Sequence, residues 1–281
     1  MVNQIKRAFS FGNVESTERL RNLIDFKNLF TLIVVILGSI MDECLRGVVL
    51  RTYKYNDKNS VVRVYTDSRG LLSFLLPESA SRSARMRRAV FQPLSLVEID
   101  ASILPRRDIH RIRHASIVVA TPSLHTNPTK CAIALFITEL LSHIIIEQEQ
   151  DAPLYAFLAR SVMLLDNIDS GVANFHICFL YNLGSFIGIE PDMDTYVEGS
   201  YFDLQNGVFL RMRPLHNDFL EQEESAVLAR LSRINYSNMH LYRFNREQRR
   251  LLLAEMLRYY KLHNSSLGDV KSLDTLHELF S

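Results

Sequence analysis

Tryptophan is absent from the 281 residues, and only 3 cysteines, 8 prolines and 10 glycines occur. Cys44, Cys131 and Cys178 form no C-x-x-C pair and are too few for a disulfide framework, which predicts a chain kept reduced in the cytoplasm. They also exclude a structural zinc site built from thiolates. Low glycine and proline exclude collagen-like and low-complexity chains, and 47% hydrophobic residues exclude a disordered one. Gly-rich phosphate loops, a G-x-S-x-G elbow and a Cys/His constellation are all missing. The sequence thus nominates no catalytic residue and no cofactor.

Long apolar runs are scarce too. The main one, Asn28 to Ile40 (NLFTLIVVILGSI), is shorter than the roughly 20 residues of a membrane span. It follows a lead holding Glu15, Glu18 and Asp25 and precedes no Ala-x-Ala-like site, which argues against a signal peptide. Compact patterning begins at Met41, so residues 1–40 are expected to be an over-extended start. A buried helix and a membrane anchor are the alternatives.

The net charge of +1 hides a segregation. Residues 41–120 hold 14 basic and 8 acidic side chains, whereas residues 121–281 hold 13 and 20. A small basic domain that meets a polyanion, joined to a larger acidic one, is the expected organisation.

In the basic segment five short apolar or β-branched runs alternate with turns: Gly47 to Lys54, Val61 to Thr66, Gly70 to Leu76, Pro93 to Ile99 and Arg111 to Ala120. Crossover helices have no room between the early ones, so a small antiparallel barrel is predicted. The longer break from Pro77 to Gln92 falls where an OB barrel carries its insertion, with an SH3-like barrel as the alternative. Strand alternation places Arg51 with Tyr53 and Arg63 with Tyr65 on common faces. If those faces look outward, cations would track phosphates while bases stack on the rings. Otherwise the tyrosines cap the core and the arginines are solvated. Arg82, Arg85, Arg87 and Arg88 crowd seven residues of the insertion, and Arg106, Arg107, Arg111 and Arg113 form a second cluster. Such density repels itself unless a polyanion is near.

The acidic segment reads as helices from Asn127 to Gln148, Pro153 to Ile168, Asn174 to Ile189, Asp218 to Ile234 and Asn245 to His263, with a short one after Ser272. Tyr201 to Arg211 forms a hairpin around Asn206-Gly207. His143 is expected in the core. The pair Asp192 and Asp194 is expected to cap a turn, and His110 with His114 lacks the pattern of a zinc protease. Arg246, Arg250, Arg258 and Lys261 form one stripe on the last long helix, either a solvated face or a cationic rim for an acidic, hydrophobic peptide. The predicted fold class is therefore α+β, with a barrel over 41–120 and a mainly helical domain over 121–281 carrying the 201–211 hairpin.

The strings Arg46-Gly47-Val48-Val49-Leu50-Arg51, Val64-Tyr65-Thr66-Asp67-Ser68-Arg69-Gly70, Gln92-Pro93-Leu94-Ser95-Leu96, Tyr201-Phe202-Asp203-Leu204 and Lys271-Ser272-Leu273 occur in this order. Together they resemble the bacterial RecO family of DNA repair proteins over residues 41–281. The resemblance implies an OB domain and a helical domain, binding of single- and double-stranded DNA, and annealing of complementary strands. It further implies contact with the acidic tail of single-stranded-DNA-binding protein and with RecR, leading to RecA loading. Many relatives hold zinc with four cysteines beside the hairpin. The corresponding positions here are Thr195, Glu198, Arg211 and Pro214, so no metal is expected. A membrane-tethered OB module is the rival reading, and a nuclease using Asp192 and Asp194 is a more distant one.

Overall fold

A computed structural model describes residues 41–79, 81, 86, 88–103, 107–146 and 149–279. The Asn28 to Ile40 run and Arg82, Arg85, Arg87 and Arg106 lie outside them. No helix among the described residues is long and apolar enough to cross a membrane.

Strands β1 (Met41–Asn56), β2 (Asn59–Thr66), β3 (Gly70–Pro77), β4 (Leu96–Ile103) and β5 (Ile109–Val119) close a barrel in the order β1-β2-β3-β5-β4. All neighbours are antiparallel except β3 with β5, and that parallel pairing marks the OB order. Alternation sorts the side chains. Val49, Val62, Val64, Leu72, Phe74, Val97 and Ile99 fill the barrel, while Val48, Leu50, Tyr65 and Leu71 point outward into a second core shared with the helices. A bulge after Val49 re-phases β1, so that Arg51 stands opposite Arg63.

Leu94, in the link to β4, adopts φ 59°, a left-handed conformation that L-residues avoid. Burial offsets the strain: its side chain enters the helical domain beside Ile137, Leu158, Val162 and Phe175. Its amide donates to the Val49 carbonyl at 2.9 Å, and the Val49 amide donates to Ser95 at 3.0 Å.

Helices α1 (Pro122–Thr126), α2 (Pro128–Ile144), α3 (Ala152–Asn167), α4 (Phe175–Phe186), α5 (Gln222–Leu231), α6 (Arg246–His263) and α7 (Ser272–Leu279) build the second domain. Asn127 caps α2, accepting from the Thr129 and Lys130 amides with Pro128 at the first helical position. The mostly apolar α2 runs through the middle, so Ala132, Phe136, Ile137 and Leu140 are buried on several sides. Lys130 is buried there as well, its ammonium donating to Ser123 Oγ at 2.8 Å and the Asp166 carbonyl at 2.7 Å. His143 is only half-buried, because the Asn264 to Gly268 turn covers it incompletely.

The hairpin is one part of a three-stranded sheet, β7-β6-β8, with β6 (Tyr201–Asp203), β7 (Val208–Leu210) and β8 (Phe219–Leu220). The helix expected from Asp218 begins later, at Gln222, because Phe219 and Leu220 pair with β6. Phe202 and Phe209 pack at 4.8 Å between ring centroids, and Gly207 takes φ 69° in the turn. Beside it, Asp192 accepts from the Asp194 amide and caps the turn, while Thr195 Oγ1 accepts from the Phe209 amide at 2.8 Å. Among the described residues no group of three or more His, Cys, Asp or Glu is placed to hold a metal ion.

Asp203 ties the turn together, accepting from the Gln205 amide at 2.8 Å and Asn206 Nδ2 at 2.7 Å. Burial alone would raise its pKa, but these donors and nearby His216 outweigh it, and the net shift is downward. A depressed folded-state value contributes stability above the ordinary carboxylate range and loses it as pH falls through the folded value. Asp203→Asn should therefore cost about 1 kcal/mol near neutral pH and progressively less under acid. Urea unfolding of both proteins between pH 7 and pH 3 checks this.

Candidate nucleic-acid interface

Two cross-strand rows run over the outward face of β1, β2, β3 and β5. Arg51, Arg63, Ser73 and Ile109 form the first, and Tyr53, Val61, Leu75 and Arg111 the second. The second row carries Tyr53 and Arg111 three strands apart around the curved surface of the barrel. Arg51, Tyr53 and Arg111 are exposed, and Arg63 is half-buried. The Arg51 guanidinium carbon lies 5.9 Å from the Tyr53 ring centroid, a cation over an aromatic face.

Like charges directly opposite each other destabilise a sheet. Arg51 and Arg63 nevertheless form such a pair, and among the described residues no carboxylate forms an ion pair with either. Burial chiefly holds the Arg63 guanidinium below its usual pKa, with Arg51 reinforcing the effect and Tyr53 opposing it. An anion placed between the two would remove this repulsion.

The remaining cations differ. Arg113 is paired with Asp42 at 2.8 Å, and Arg88 with Glu78 at 2.7 Å. Arg46 is held by Glu98 and Arg69 by Glu43. Arg107 is exposed at the mouth of the β4–β5 connection. Pairs of this half-exposed kind are worth at most about 1 kcal/mol, so a polyanion can compete for them.

Tyr65 requires a correction. It is 1% exposed, on the stretch of outward face that the helical domain covers, and cannot stack on a base. Burial, with the Asp151 charge adding to it, pushes its phenol up to about 12. The exposed ring that sequence reasoning missed is Tyr55, 58% exposed at the end of β1 beside Lys54 and Lys58. Its signal was the same two-residue alternation that marked Tyr53, carried one step past the expected strand end.

The helical domain also departs from expectation. An apolar groove of about 170 Å³ opens between α4, α5 and α6, lined by Tyr181, Leu228, Leu252 and Met256 with Arg230 at its edge. The predicted cationic rim is not assembled around it. Helical rotation of 100° per residue turns Arg246 and Arg250 to another flank of α6, where they line a separate recess. Arg258 is bound by Asp218 at 2.8 Å and by Glu255, and Lys261 lies 3.4 Å from Asp269.

Comparison with known proteins bears on this arrangement. Residues 41–120 match the sequence model described as recombination protein O N terminal, and residues 125–273 match recombination protein O C terminal. The DNA repair protein RecO of Bacteroides fragilis is 40% identical over 235 residues, covering 83% of this chain and 97% of that protein. Its counterpart in Phocaeicola vulgatus is 39% identical over 235 residues, covering 84% and 98%. The RecO protein of Porphyromonas gingivalis is 33% identical over 239 residues, again covering 84% and 98%.

Proposed function

The chain belongs to the recombination protein O family of DNA repair proteins, and from that premise we propose that its barrel binds single- and double-stranded DNA and anneals complementary strands. No covalent bond is made or broken in this reading. The observation that carries it is the opposed Arg51–Arg63 pair beside exposed Tyr53. Neutralising phosphates on two strands removes the repulsion that slows their encounter, while bases splayed on the aromatic surface stay free to pair.

Arg107 and Arg111 extend the track along the barrel, and Arg113 and Arg88 join it by exchanging carboxylate for phosphate. Arg82, Arg85, Arg87 and Arg106 belong to the same basic segment in sequence. The helical domain, acidic overall, takes the protein partners: the acidic tail of single-stranded-DNA-binding protein in the apolar groove with Arg230 at its edge, and RecR, with RecA loading as the outcome.

A salt titration tests the proposal. If six to eight cations touch phosphates, single-stranded DNA affinity should fall by roughly three orders of magnitude between 50 and 200 mM salt, and annealing should slow in parallel. Affinity that ignores ionic strength, or no binding at low salt, would refute it.

A further inference from the structure

The link from Phe91 to Ser95, just before β4, is fastened to β1 on both sides of Arg51. Ahead of it, the Leu94 amide donates to the Val49 carbonyl at 2.9 Å and the Val49 amide donates to the Ser95 carbonyl at 3.0 Å. Beyond it, Thr52 Oγ1 donates to the Phe91 carbonyl at 3.3 Å. Leu50, which has no partner on β2, lies between these fastenings and is buried in the core shared with the helices. We propose that Leu94 is a positioning residue for DNA binding: anchored in the helical domain, it holds the link against β1 and so fixes the bulge that sets Arg51 opposite Arg63.

The backbone at Leu94 separates this role from simple packing. Every other described residue with a positive φ is a glycine, which makes such a turn without strain. A leucine stands at 94 instead, and its 2% exposed side chain meets Ile137 of α2, Leu158 and Val162 of α3, and Phe175 and Phe179 of α4. Three helices therefore hold a link whose own hydrogen bonds reach β1. The ladder between β1 and β4 ends at Val48 and Leu96, so past that point β1 keeps a strand partner on the β2 side only. The link supplies the hydrogen bonds on the other side. Losing the bulge would slip the pairing by one residue, and a one-residue slip turns a side chain to the opposite face. Arg51 and Arg63 would then no longer share a row.

Because this role rests on DNA binding by the barrel, the test includes a readout that needs no DNA. In the full chain Leu94→Gly keeps the turn and removes the anchor. Amide hydrogen exchange at Val49, followed by NMR, should quicken about tenfold or more while amides in the β2–β3 pairing keep the parent's rates. Single-stranded DNA affinity should fall about tenfold, and the slope of log affinity against log salt by about 0.7, the share of one phosphate. Leu94→Met, close in volume, should restore both to within about twofold of the parent. Phe209→Leu lowers Tm from within the hairpin sheet, away from the link, and should change neither. Unchanged Val49 exchange in Leu94→Gly overturns the role whether or not DNA binds, and so does an affinity loss that Phe209→Leu shares. Binding lost in Arg51→Ala with Arg63→Ala but kept in Leu94→Gly overturns the Leu94 role alone, whereas binding kept in both overturns the barrel reading with it.

Discussion

Replacing Arg51 and Arg63 together by alanine is expected to weaken single-stranded DNA binding about 100-fold at low salt. Each arginine contributes a charge-assisted hydrogen bond worth about 1.5 kcal/mol, and about 3 kcal/mol corresponds to two decades of affinity. The slope of log affinity against log salt should fall by about 1.4, since each phosphate neutralised on a single strand contributes about 0.7. Folding stability should hold or rise slightly, because the substitution removes a like-charge pair from opposed strand positions. The control is Arg46→Ala with Arg69→Ala, which removes the same charge from sites already held by Glu98 and Glu43. Fluorescence anisotropy with a labelled oligonucleotide measures both. An equal loss in the control would mean that net charge, and not this pair, carries binding.

The second large effect concerns Tyr65. Tyr65→Ala should destabilise the protein by about 3 to 5 kcal/mol, in line with truncation of other buried aromatics. In a chain of this size that lowers Tm by roughly 10 °C. Its DNA affinity, measured well below the new midpoint, should stay within about twofold of the parent, whereas Tyr53→Ala should lose roughly 1 to 3 kcal/mol of binding and almost no stability. Calorimetry and anisotropy on the two variants separate the roles. If Tyr65→Ala loses DNA binding at full stability, the placement of that ring in the shared core is wrong.

These two tyrosines show how far local pattern reaches. Period-two alternation put each on a common face with an arginine and left the direction of that face open, and both are outward with respect to the barrel. Their fates differ because the helical domain covers one end of the β1–β2 face and leaves the other open. The α6 stripe shows a similar limit. Helical spacing grouped Arg246, Arg250, Arg258 and Lys261, yet Asp218, some 40 positions away, claims Arg258, while α4 and α7 enclose Arg246 and Arg250. The late start of α5 has the same origin, since strand pairing across the sheet outweighed the local helix tendency of Phe219 and Leu220.

The amino-acid sequence by itself determined the five barrel strands, the Asn127 cap, the Asn206-Gly207 turn and the basic character of residues 41–120. All of these depend on neighbours within a few positions or on composition alone. Tertiary structure alone decided that Arg51 opposes Arg63, because a single bulge re-phases β1 against its partner. It also decided that Tyr65 is core, that Leu94 is forced through a left-handed turn into the other domain, and that five cationic or imidazole side chains surround one recess. Such outcomes require residues far apart in the chain to compete for the same surface, and no local periodicity records who wins.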